Sequence, residues 1–213
     1  MVNYRIIEET PLEIIDIVRE QHREIDAILA FLNSSKLQYK GTVREYQAAC
    51  LYALAKPYNV KEARILEIGT GKGYSTSFLA QSCPNAEIIT ISARQDESDE
   101  AKRVIEKELG FKNVEFVVAK SWEYYIKNQT EPKFDFIFVD GDHAKVQRDL
   151  VWYEELHKDG LILFHDYCPE NASNPQTHVY NVLNKWLVDL GKDDFDVKIV
   201  DNELVGMVGL YNR

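Results

Sequence analysis

The sequence predicts an α/β protein: a doubly wound, mostly parallel sheet with helices on both faces. Three observations predict it. From Arg64 onward, apolar runs of strand length alternate with helical patterns. A glycine-rich bend, Gly69-Thr70-Gly71-Lys72-Gly73, joins the first of these runs to the first of these helices. The last two runs, 196–200 and 204–210, are separated only by Asp201-Asn202-Glu203. That link is too short for a parallel crossover, so the sheet should end in an antiparallel hairpin.

Composition bounds the function. The chain has 213 residues and is 45% hydrophobic, enough for one sizeable core. Its net charge of -10, with no Lys/Arg cluster, argues against nucleic acid as a partner. No run of about 18 apolar residues is present, so no membrane span is expected, and Met-Val-Asn-Tyr-Arg has no signal-peptide pattern. Cys50, Cys83 and Cys168 are scattered, with no CxxC pair. They suit a reducing, cytoplasmic setting and argue against a thiolate metal site.

The elements follow in order. Thr10-Pro11-Leu12-Glu13 is a capping box with proline at the first helical position. Val18, His22, Ile25, Leu29 and Leu32 then form one apolar seam, which packs on the domain, covers a substrate or forms a homodimer contact. Residues 1–41 are thus expected to be a helical extension of a main domain at 42–213. A second capping box, Thr42-Val43-Arg44-Glu45, opens a helix ending near Lys56-Pro57. Beyond the glycine bend, strands are expected at 87–91, 114–118, 134–139 and 161–164. Helices are expected at 97–109, 122–127, 145–157 and 177–190, with Gly110 and Gly191 closing the first and last.

The bend decides among ligands. A dinucleotide fingerprint would need a third glycine where Tyr74 or Thr76 stands. A phosphate-binding P-loop would need Ser or Thr where Gly73 stands. What fits is Glu-x-Gly-x-Gly-x-Gly from Glu67 to Gly73, which resembles the first motif of class I S-adenosylmethionine-dependent methyltransferases. The longer string Leu66-Glu67-Ile68-Gly69-Thr70-Gly71, then Gly73-Tyr74-Ser75-Thr76, resembles their small-molecule O-methyltransferase branch. The resemblance spans roughly 42–213. It implies a Rossmann-like sheet of order 3-2-1-4-5-7-6, with S-adenosylmethionine bound by Glu67, Gly69, Thr70, Gly71, Gly73 and Ser75. Where the family usually carries a ribose-binding acid, this chain has Ser92, and Asp96 or Glu97 are the nearby substitutes. Lys120, Ser121 and Trp122 occupy the adenine-contacting segment; Trp122 is equally a candidate core anchor of its helix.

Two further strings carry chemistry. Asp140-Gly141-Asp142-His143 and His165-Asp166-Tyr167 each follow a buried strand, where acids are costly unless they bind something or are hydrogen-bonded. Ligands in such sheets sit beyond the carboxyl strand ends. By resemblance, Asp140, His165 and Asp166 would hold Mg²⁺ or, given the imidazole, a softer divalent cation. Asp140 would also border the cofactor and take part in catalysis. His143 matches in spacing a base lysine of catechol-type relatives and suits a general base. His22, His157 and His178 lack such context. The expected function is transfer of a methyl group to a hydroxyl of a small molecule. The alternatives are a metal-independent enzyme acting on nitrogen, sugar or peptide groups, and a non-catalytic binding module of the same fold.

Overall fold

The computed structural model describes residues 5–7, 43–129, 132–167, 177–190, 195–201 and 206–212. The expected helix from Thr10, its His22, the 33–41 loop, most of the 166–176 loop and the Gly191 cap lie outside these residues. Among the described residues the elements run β1 (Arg5–Ile7), α1 (Glu45–Ala55), β2 (Arg64–Ile68), α2 (Tyr74–Ser82), β3 (Glu87–Ser92), α3 (Gln95–Lys102), β4 (Val114–Val118), α4 (Ser121–Lys127) and β5 (Phe134–Val139). They continue with β6 (Leu156–His165), α5 (Thr177–Leu190), β7 (Phe195–Asp201) and β8 (Met207–Asn212).

The sheet order is β1-β7-β8-β6-β5-β2-β3-β4. Read from β4, the seven strands after β1 reproduce the expected 3-2-1-4-5-7-6. β2, β3, β4, β5 and β6 pair in parallel, and β8 runs antiparallel to both β6 and β7. β1 was not foreseen: Arg5–Ile7 pair in parallel with Asp196–Lys198 and add an eighth strand at the edge. Three residues carry too little alternation to be read as a strand without their partner.

Side-chain alternation builds the two cores. Along β5, Phe136 and Phe138 face one cluster with Ile65, Leu161 and Leu163, under α1 and α2. Ile137 and Val139 face the other with Leu66, Ile68, Ile162 and Phe164, under α5. Period-two alternation in strands apolar on both faces is what a covered parallel sheet requires.

Three elements differ from expectation. α1 starts at Glu45 rather than at a Thr42 cap, and Gln47 Oε1 accepts the Arg44 N–H at 3.2 Å. α3 starts two residues early and ends in a π-helical stretch, Arg103–Glu108. The expected 145–157 helix is two 3₁₀ stretches, His143–Arg148 and Leu150–Glu155. At three residues per turn, Val146, Asp149 and Trp152 stack on one buried side. β6 then begins at Leu156, and its pairing with β5 is irregular between Phe134 and Phe136.

The glycine bend is fixed by backbone contacts. Ile91 O accepts from both Gly69 N (2.9 Å) and Thr70 N (3.2 Å). Gly69 has φ +106°, and a Cβ there would stand 2.1 Å from Asp140 O. No side chain fits between the ends of β2 and β5. Gly69→Ala should therefore lose at least about 2 kcal/mol of stability from backbone strain alone, read as a lower urea midpoint at unchanged slope; an unchanged midpoint would refute this packing.

Candidate active site

Beyond the carboxyl ends of β2, β3, β4 and β5 lies a cavity of about 390 Å³, within the usual range for small-molecule sites. It is lined by Gly69, Thr70, Gly71 and Ser75 from the bend, Ser92, Arg94 and Glu97 after β3, Lys120, Ser121 and Trp122 after β4, and Asp140 through His143 after β5. Glu67 and Gly73, expected to touch the ligand, do not line it. Glu67 is fully buried behind the bend. Gly73 faces α3, where a Cβ would stand 3.1 Å from the Ala101 Cβ.

Glu67 nonetheless organises the bend. Its Oε2 accepts from Thr76 Oγ1 of α2 (2.5 Å) and Thr90 Oγ1 of β3 (2.6 Å). Thr90 Oγ1 is also 2.7 Å from Thr70 Oγ1 in the bend. One carboxyl thus ties strand, bend, helix and neighbouring strand together. Burial pushes its pKa from 4.5 up to about 7, against the lowering effect of the hydroxyl donors.

After β3, Ser92 is buried and its Oγ accepts the Arg94 N–H at 3.1 Å. Of the two nearby acids, Glu97 lines the cavity and lies 3.4 Å from Ser92 Oγ. Asp96 is exposed and paired with Arg94 at 2.7 Å. After β4, the Trp122 ring lies 5.4 Å from Lys120 Nζ and 5.2 Å from Arg148 Cζ. Two cations therefore already engage the ring expected to stack on a ligand.

The β5 and β6 ends meet at one charged centre. Asp166 has φ +60°, a left-handed turn that brings its carboxylate back over the strand ends. Its Oδ2 accepts from His143 Nε2 and lies 3.1 Å from His165 Nδ1. His165 Nδ1 is also 3.0 Å from Asp140 Oδ1, and its Nε2 is 3.0 Å from Gln47 Oε1 on α1. Burial alone would lower the His165 pKa, but the Asp140 and Asp166 carboxylates raise it to about 10. The two carboxylates thus favour the protonated His165 ring, whose Nε2 faces Gln47. Burial would raise the Asp166 pKa, yet hydrogen bonds from His143 and His165 hold it well below the ordinary value. The Asp166 hydrogen bond raises the His143 pKa, against a smaller opposing effect of burial.

The metal set expected at Asp140, His165 and Asp166 is rearranged. The ligand atoms that converge, within 4.8 Å of one another, belong to Asp140, His143 and Asp166. His165 instead faces the two carboxylates through Nδ1 and Gln47 through Nε2. Gln47 and Asp149 were missed. Gln47 is one polar residue in an apolar helix, a signal that could have been read. Asp149 gave no such sign.

Residues 66–167 match a family described as a methyltransferase domain. Among curated relatives, the protein-L-isoaspartate O-methyltransferase of Methanococcus maripaludis (strain C7) is 30% identical over 99 residues, 46% of this chain and 44% of that protein. The chain thus spans less than half the length of this relative. Among solved structures, the O-methyltransferase from Bacillus cereus in complex with SAH superposes with a TM-score of 0.68 at 18% identity, covering 89% of this chain and 91% of that one. The SAH-bound methyltransferase PaMTH1 of Podospora anserina gives 0.69 at 18% identity, covering 88% of each chain. The fold is that of the class I methyltransferases. Residues 66–167, just under half of this chain, are thus similar to a methyltransferase domain, and the fold is shared with solved O-methyltransferases.

The Glu67 shift has a pH consequence. A carboxyl with a raised folded pKa contributes its stability below pH 4.5 and loses it as pH rises through about 7. Between pH 5 and 8, Glu67→Gln should gain on the wild type by on the order of 3 kcal/mol in chemical denaturation. Parallel stability curves for the two proteins would show an ordinary Glu67.

Proposed function

We propose that this chain transfers a methyl group from S-adenosylmethionine to a hydroxyl of a small molecule. The observation that carries the proposal is the single cavity in which the glycine bend, Ser92 and Glu97, Ser121 and Asp149 are continuous with Asp140 and His143. The cofactor supplies, when bound, a methyl group already activated on a sulfonium. The start of α2, directly after the bend, offers it backbone N–H groups. Glu97 offers a carboxylate for ribose hydroxyls in place of Ser92, and Ser121 with Asp149 faces the base.

The chain's own part is to orient the acceptor, exclude water and move one proton. His143 is the residue for the proton. Because its Nε2 donates to Asp166, the neutral ring keeps its lone pair on Nδ1. Asp166 fixes that tautomer and stabilises the cation formed when Nδ1 takes the acceptor's proton. The His165 imidazolium holds Asp140 and Asp166 in place.

The converging ligand atoms of Asp140, His143 and Asp166 favour a second reading. Two carboxylates and one imidazole suit a divalent cation of intermediate softness. Held there, it would polarise the acceptor oxygen, and His143 would be a ligand instead of a base.

Three measurements test this. Calorimetric titration with S-adenosylhomocysteine should give saturable heat with one site; no heat would remove the cofactor from the account. His143→Ala should lower kcat by about 10²-fold or more while binding of S-adenosylhomocysteine is unchanged; an undiminished kcat would remove it from the reaction. Exhaustive chelation should leave turnover intact if His143 is the base and abolish it, with recovery on adding a divalent cation, if the second reading holds.

A further inference from the structure

Gln47 is a buried amide that the mechanism above does not use. It lies in the first turn of α1, is 1% exposed and stands in the otherwise apolar run 46–54. Among the described residues, Gln47 is not part of the cavity wall. Its Oε1 accepts the Arg44 N–H at 3.2 Å. A backbone N–H can only donate, so this bond fixes which end of the amide is the oxygen. The same oxygen lies 3.0 Å from Nε2 of His165. Facing an acceptor, that Nε2 carries a proton.

The His165 ring is 5% exposed. Rotation about its Cβ–Cγ bond is roughly two-fold, so the ring has two ways to sit. In the observed one, Nδ1 lies 3.0 Å from Asp140 Oδ1 and 3.1 Å from Asp166 Oδ2. A half-turn would exchange Nδ1 for Cδ2 and Nε2 for Cε1. Carbon would then face both carboxylates, and Gln47 Oε1 would lose its donor.

We infer that Gln47 is a positioning residue: it keys the His165 ring so that Nδ1, and not carbon, is presented to Asp140 and Asp166. Asp166 Oδ2 is also the oxygen that accepts from His143 Nε2. The chain Gln47, His165, Asp166, His143 therefore carries an orientation set on α1 to the proposed proton acceptor. That last link rests on the role given to His143 above; the keying of His165 does not.

The test is nitrogen NMR of the two rings in the full chain without cofactor, treated with chelator so that no cation competes for His143. The wild type should show a slowly exchanging Nε2–H at both His165 and His143. Gln47→Leu keeps bulk and removes the acceptor, and should speed exchange at both sites by roughly 10-fold or more. Gln47→Glu keeps an oxygen acceptor and should restore both to within about 3-fold of the wild type, a recovery that a merely space-filling residue would not show. A His165 without a proton on Nε2 in the wild type would overturn the inference, even if neither variant folds. So would unchanged exchange in Gln47→Leu, or exchange in Gln47→Glu as fast as in Gln47→Leu. Because the rings are observed without cofactor, a wild type that binds no S-adenosylhomocysteine would defeat the proposed function and leave this result untouched.

Discussion

The site depends on one close approach. At the end of β2, Gly69 lies so near the Asp140 carbonyl at the end of β5 that even a methyl group is excluded. The same junction is hydrogen-bonded across, from Asp140 N to Ile68 O at 2.8 Å. This contact sets the bend beside the acid that follows β5. The glycine-bend side and the Asp140 side of the cavity are therefore neighbours through backbone geometry, before any side chain contributes. Buried hydroxyl–carboxyl bonds around Glu67 then hold the bend from behind.

The centre at the β5 and β6 ends is an alternation of charges. Asp140 and Asp166 both approach Nδ1 of His165, and the same Asp166 oxygen accepts from His143. Two carboxylates this close would repel each other and be heavily desolvated without a positive group between them. Here a protein side chain supplies that group. This explains why His165 could follow a buried strand at no evident loss to the fold. It also explains why its neighbour Asp166 adopts a left-handed backbone, which Asp tolerates better than most residues.

Much of this was legible in the sequence. Strand order, the final hairpin and the strand-end positions of Asp140, His143, His165 and Asp166 follow from apolar periodicity, glycine spacing and the family resemblance. What was not legible has physical causes. By resemblance Glu67 reads as fixing either the loop or the cofactor's amino group; only the packing of Thr76 and Thr90 shows it turned inward to hold the bend. His165 reads as a metal ligand because it matches one of the family's metal-holding positions; its partners, Gln47 and Asp140, are 118 and 25 residues away in the chain. The segment after β5 reads as an α-helix because its apolar spacing of three and four fits one. The tighter 3₁₀ winding appears only with Asp149 drawn inward to Ser121. β1 could not be recognised apart from β7.

The bond between Gln47 and His165 gives α1 a role that its apolar sequence conceals. A side chain outside the matched 66–167 segment supplies the acceptor for the buried cation. The helix preceding β2 is therefore tied into the electrostatics of the charged centre at the β5 and β6 ends. Sliding that helix by a single turn would leave the buried ring without its acceptor at Nε2, so α1 and the strand-end acids are held in one register.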